Sequence, residues 1–223
     1  MANLISQDMT VLVSSTSRYN GNQFDEVYVK TTIVADGQVP DEYYVPNGES
    51  LPPAAMALIR SQDLEYRPYR KDVLIQGTEN IQESAKTGDP VDTVADSAKL
   101  MLLSALRKVS LTQVAKVGNK FVYDLSYAYK IYPEHNTGKY EFAVRLPFDG
   151  IKMVNGQLKL TVVTPDQAIV NPDETVGIDD QGKEIQETIT KLSKSGKSVT
   201  EFSYRRDPDF VVSYSYPKGS ELK

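Results

Sequence analysis

The runs FVYDLSYAYKI, residues 121–131, and YEFAVRLPF, residues 140–148, decide the fold class of this chain. In the first, Phe121, Tyr123, Leu125, Tyr127, Tyr129 and Ile131 fall on one face, against Val122, Asp124, Ser126, Ala128 and Lys130 on the other. In the second, Tyr140, Phe142, Val144, Leu146 and Phe148 alternate with Glu141, Ala143, Arg145 and Pro147. A period of two is the signature of a strand with one buried face. The short loop PEHNTG between the runs contains a glycine, so the pair reads as an antiparallel hairpin.

The same pattern continues toward the C-terminus. Leu158, Leu160 and Val162 alternate after the turn signal Asn155-Gly156, and the runs from Val199 to Tyr204 and from Phe210 to Tyr216 flank RRDPD as a second hairpin. Asp179-Asp180-Gln181-Gly182 reads as a turn between short strands around Val176 and Ile185. The stretch Glu184–Leu192 fits either a strand or a short helix with Ile185, Ile189 and Leu192 on one side. The end, PKGSELK, reads as a frayed tail. Toward the N-terminus, Met9–Val13 and Val27–Val34 read as two strands, joined by the polar loop SSTSRYNGNQ. Asp72–Gln76 and Leu111–Val117 are two more.

One segment breaks the β pattern. From Asp89 to Val109, DPVDTVADSAKLMLLSALRKV, the apolar residues Val91, Val94, Ala95, Ala98, Met101, Leu102, Ala105, Leu106 and Val109 share a stripe at helical spacing. Asp89 suits the N-cap, Pro90 the first helical position, and Arg107 and Lys108 the last turn. Leu100 and Leu103 project to the opposite side, to be covered by another part of this chain or, as a second apolar face, by a partner subunit. Between Val39 and Arg70, prolines at 40, 46, 52, 53 and 68 impose an extended course, with Pro53 placed to open a short helix, AAMALIRSQ. Tyr43, Tyr44, Tyr66 and Tyr69 lie along this segment, which reads as an arm laid over a neighbouring subunit, or as a long connection packed on its own domain.

The sum is a mainly β (α+β) fold of roughly eight strands. The economical arrangement is an antiparallel β-sandwich or barrel-like sheet with one long amphipathic helix packed on it and a proline-rich extended arm. Residues 1–88 and 89–223 divide the chain into an N-terminal part with the arm and a part with the helix and hairpins, or belong to one continuous domain.

The chemistry the sequence offers is sparse. With 223 residues and no cysteine, packing alone holds the fold, and disulfides, thiolate metal sites and cysteine nucleophiles are absent. The single histidine, His135, sits at a polar loop tip, a poor place for a general base. Ser195-Gly196-Lys197-Ser198 ends like a phosphate-binding loop, but Lys191 stands where the fingerprint needs glycine. The acidic residues Asp173, Glu174, Asp179, Asp180 and Glu184 lack EF-hand spacing and read as a solvated loop; calcium there is the sharper alternative. A net charge of −5 speaks against nucleic acid. No signal peptide and no membrane-length apolar run is present, so cytoplasmic synthesis is expected, with a virion as a final location. No catalytic, cofactor or metal residue stands out.

These features point to a non-enzymatic subunit of a large assembly, such as a bacteriophage capsid, capsid-accessory or tail protein. Its expected partners are itself or other subunits, and its candidate interface residues are Leu100, Leu103, Tyr43, Tyr44, Tyr66 and Tyr69. The alternative is a ligand-binding β module for glycan or peptide that uses the face of Tyr123, Tyr127 and Tyr129, and after it a carboxylate-dependent hydrolase.

Overall fold

A computed structural model describes the chain except residues 1, 22, 41, 48–52, 63, 65–66, 77, 79–80, 88–89, 135–136, 147, 180, 182, 186, 193–195, 206–207 and 218–223. The elements run in order as β1 (Leu4–Ser14), β2 (Asp25–Ala35), β3 (Glu42–Pro46), α1 (Pro53–Ser61), α2 (Lys71–Ile75), α3 (Ile81–Thr87), α4 (Pro90–Ser104) and β4 (Leu106–Ser110). Then follow β5 (Thr112–Val117), β6 (Lys120–Ile131), β7 (Tyr140–Arg145), β8 (Gln157–Val163), β9 (Ile169–Val170) and β10 (Val176–Asp179). The chain closes with β11 (Glu184–Ile185), β12 (Glu187–Leu192), β13 (Lys197–Tyr204) and β14 (Pro208–Ser215). The fold is mainly β, with several sheets and few helices.

The strands form a seven-stranded sheet in the order β12-β13-β8-β1-β2-β6-β5, and a second sheet in the order β11-β10-β14-β7, with β9 also on β14. A two-stranded ribbon joins β3 to β4. Neither larger sheet closes into a barrel among the described residues. β1 and β2 pair antiparallel, Val11 opposite Val29, while β1 and β8 run parallel, Met9 opposite Leu160. Strands from both sides of position 88 thus share one sheet. The apolar faces of both sheets feed one cluster that includes Met9, Ile33, Tyr127, Leu160, Phe202, Phe142, Phe210 and Tyr214.

Neither expected hairpin forms, although each of its strands does. β6 pairs with β2 along nearly its whole length and with β5 over Lys120–Asp124, whereas β7 pairs with β14 in the other sheet. Likewise β13 lies between β8 and β12, while β14 belongs with β7, β9 and β10. Both loops are therefore corners that carry the chain from one sheet to the other. The reason lies in what alternation encodes: it says which side chains are buried, and two strands satisfy that side by side or face to face. Phe202 of β13 and Phe210 of β14 meet across the core, with ring centroids 4.8 Å apart.

The helical part also departs from expectation. α4 ends at Ser104, and Leu106–Ser110 leaves it as β4, so Arg107 and Lys108 lie on a strand rather than in a last helical turn. Val45 opposite Arg107 and Tyr43 opposite Val109 show what captures this segment: pairing with β3 replaces helix hydrogen bonds with ribbon ones. Asp72–Gln76, read as a strand, is largely the helix α2, and the polar stretch before α4 contains α3. Among the described residues, α4 packs chiefly on α1, α2, α3 and β4 rather than on either larger sheet. There Ile59, Tyr69, Leu74, Leu102 and Leu106 make a second small core. Pro53 opens α1 as read. The short run Glu184–Leu192, left open between strand and helix, resolves into the two strands β11 and β12.

Two buried polar contacts fasten these parts. Asp25, fully buried at the start of β2, accepts hydrogen bonds from the hydroxyls of Tyr214 (2.7 Å) and Tyr216 (2.8 Å) and from the backbone N–H of Ser17 (2.9 Å). A buried carboxylate is tolerable when donors surround it, and these donors tie the two sheets and the loop after β1 together. At the other junction, Arg67 lies over the Tyr69 ring at 3.9 Å and pairs with Asp149 at 3.6 Å. Next to it Gly150 has a φ of +86°, and a Cβ there would sit 2.9 Å from Pro40 Cγ and 3.0 Å from Arg70 Nη1. Only glycine fits both the conformation and the space.

Candidate protein–protein interface

The expected interface residues divide into three groups. Tyr43 is fully buried, packs on Phe148 with centroids 5.3 Å apart, and donates its hydroxyl to the Asp149 carbonyl at 2.8 Å. Burial and the Asp149 charge hold its hydroxyl well above the usual tyrosine range. Tyr69 is buried and exchanges two 2.8 Å backbone hydrogen bonds with Tyr44, which packs on the small helical core. Their rings are therefore committed within the chain, and the described part of the segment folds back rather than reaching out as an arm. Tyr66 lies outside the described residues. Leu103 packs against the helical core, and only Leu100, 38% exposed, keeps a solvent-facing leucine on α4.

The tyrosine face proposed as a ligand platform is also interior: Tyr123, Tyr127 and Tyr129 are at most 7% exposed. Burial, followed by the nearby Tyr129, raises the Tyr127 hydroxyl well above its ordinary pKa. The physical reason is that these side chains belong to the one buried cluster that residues of both sheets share, which a single strand's pattern does not reveal.

Of the acidic residues weighed for calcium, Glu174 is engaged by the Ser213 hydroxyl at 2.9 Å and by Lys139 at 3.1 Å. Asp180 lies outside the described residues. Among those described, no group of three or more His, Asp or Glu is placed to hold a metal ion. Nor is any described helix long and apolar enough to cross a membrane. His135 and Ser195 lie outside the described residues, while Lys197 begins strand β13 rather than a helix.

What the structure exposes instead is the outer face of the seven-stranded sheet. At one level of this face, five laterally paired residues are apolar: Val199 of β13, Val163 of β8, Leu12 of β1, Tyr28 of β2 and Ala128 of β6. Leu12 and Tyr28 are 40% and 44% exposed, and the other three are half-buried. The neighbouring level on one side reads Glu201, Thr161, Thr10, Lys30 and Ser126. On the other side stand Ser14, Glu26 and Lys130, with Lys197 two residues before Val199. The apolar row thus runs between two polar rows. Tyr28 donates its hydroxyl to Glu26 at 2.5 Å, and that bond raises the phenol's pKa.

No family model matches this chain, and no curated protein does either.

Beside Leu12, on the flank of Ser14 and Lys197, a cleft of about 250 Å³ opens, lined by Leu12, Ser15, Thr16, Tyr19, Asp166 and Lys197 among others. Tyr19 is 78% exposed. Beside it the backbone of Gln167 adopts a φ of 63°, costly for a residue other than glycine. The cleft is too small and open to enclose a ligand of ordinary size; it borders the apolar row at Leu12. A second uncovered patch lies on α4, where Val91 and Val94 are 70% and 41% exposed although they continue the stripe of the buried Ala98 and Leu102.

The edge strand β5 is exposed along its length, yet it is a poor docking edge. Its register shifts between Gln113 and Ala115, and Lys116 lies over the Phe121 ring at 4.8 Å. A bulge and an inward-facing charge are the usual ways of blunting an edge. Sequence reasoning missed the row, although the signal exists. In Val11-Leu12-Val13 and Val162-Val163, alternation fails, and an apolar residue stands where the outer face calls for a polar one.

Proposed function

We propose that this chain is a non-enzymatic structural subunit of a larger protein assembly, built as a β-sandwich with a helical cap. A bacteriophage virion, as a capsid, capsid-accessory or tail component, is the setting its cysteine-free, tyrosine-rich composition suggests. The observation that carries the reading is the apolar row from Val199 to Ala128 on a sheet face open to solvent. Contiguous exposed apolar surface rimmed by polar residues is the mark of an interaction site. The uncovered end of the α4 stripe, Val91 and Val94, adds a second such surface. Both sites suit contact with protein.

Light scattering on the purified chain over a wide concentration range tests the reading. The expected result is a mass above the 24.8 kDa of one chain, returning to 24.8 kDa in the Leu12→Glu variant. A wild-type chain that stays monomeric at every concentration refutes it.

A further inference from the structure

We infer that the outer face of the seven-stranded sheet pairs with the same face of a second copy of this chain, about a two-fold axis that runs along the apolar row. This inference rests on the assembly reading and names the partner. Strand positions decide it. A two-fold along the row places each strand over its own equivalent, running the opposite way, and exchanges the two polar levels that flank the row. On β2, Lys30 lies two residues to one side of Tyr28 and Glu26 two residues to the other. On β13, Glu201 and Lys197 flank Val199 in the same way. The axis therefore sets Lys30 against Glu26 of the second copy and Glu201 against Lys197 of the second copy. Each contact occurs twice, because a two-fold interface is self-complementary. Thr10 meets Ser14 and Ser126 meets Lys130, neither a conflict.

The competing axis, along the strands and centred on β1, fails the same comparison. It lays β2 over β8 and β6 over β13, which brings Lys130 against Lys197 of the second copy and leaves Lys30 opposite Thr161. Like charges at an interface oppose that arrangement. The charged groups are available for the favoured one. Lys30 is exposed, Glu26 and Lys197 are half-exposed, and the contacts of Glu26 with the Tyr28 hydroxyl and of Glu201 with Lys159 at 3.3 Å are at exposed positions. Lys130 lies over the Phe24 ring at 4.5 Å.

Charge exchange on β2 tests the axis by sedimentation equilibrium at low salt. Lys30→Glu alone and Glu26→Lys alone each set like charges together twice in the pair, and each weakens association about tenfold or more. The double variant Glu26→Lys/Lys30→Glu restores it to about the wild-type level, and an equimolar mixture of the two single variants forms a mixed dimer. Both changes are at positions on the outer face, Lys30 exposed and Glu26 half-exposed, and unchanged thermal unfolding of each variant shows that folding is not what changed. A wild-type dimer that neither single change weakens, or one weakened by both but not restored in the double variant, overturns the axis while the assembly reading stands. A wild-type monomer overturns both.

Discussion

Replacing Asp25 with alanine removes the one carboxylate that both sheets and the loop after β1 share. Three donors lose their acceptor: the hydroxyls of Tyr214 and Tyr216 at 2.7 and 2.8 Å and the Ser17 N–H at 2.9 Å. A hydrogen bond to a charged group contributes about 1.5–3 kcal/mol, and a buried donor left unpaired costs about 1–3 kcal/mol. The three losses are not additive, since the tyrosine rings at 5.9 Å separation can relax together. A net loss of about 4 kcal/mol follows, a large share of the 5–15 kcal/mol that holds a domain folded. In a chain of this length that corresponds to a fall in Tm of about 10 °C. Urea unfolding followed by tyrosine fluorescence and circular dichroism measures it. Asp25→Asn keeps one acceptor and the shape, and the tyrosine hydroxyls can turn to accept from its amide, so it loses about half as much. Tyr216→Phe removes one donor and costs less again. An Asp25→Ala protein within about 1 kcal/mol of wild type refutes the inter-sheet lock, and so does an asparagine variant as unstable as the alanine one.

Gly150→Ala forces a side chain into left-handed backbone and against Pro40 and Arg70; a loss of about 2–4 kcal/mol is expected from urea midpoints, and an unchanged midpoint removes the account of the cap junction. Alkaline titration gives a further test. Burial raises the hydroxyls of Tyr43, Tyr127, Tyr214 and Tyr216 and pushes Tyr140 up to about 12. A group whose folded pKa is raised contributes stability that is full below its unfolded value near 10 and is lost as pH rises through the folded value. Stability should therefore fall steeply from about pH 10 to about pH 12, with tyrosinate absorbance rising cooperatively with unfolding; a smooth titration of every tyrosine near pH 10 on a folded protein contradicts the burial.

The strand positions were legible in the sequence because alternation is local. Tyr123, Leu125, Tyr127 and Tyr129 follow one another at spacing two, and all four are buried as that spacing demands. The helix start near Pro90 was legible for the same reason, as a rule about neighbours along the chain. The Asp25 lock was not, because its donors stand 189 and 191 residues away, and a lone aspartate before an apolar run looks like any strand entrance. The candidate interface lies between these cases. Its breaks in alternation at Leu12 and Val163 are visible in the sequence, but that Leu12 pairs with both Val163 and Tyr28 is not.

By itself, then, the amino-acid order determined which residues seek burial and that cysteine chemistry has no part here. Tertiary structure decided which strand lies beside which. A strand's edges carry the same N–H and C=O groups whatever its side chains, so partner choice falls to the summed packing of both sheets. That is why Tyr127 is buried in the core cluster rather than open to a ligand. It is also why Leu106–Ser110 left its helix for β3, and why five apolar residues from five distant segments came to stand in one row.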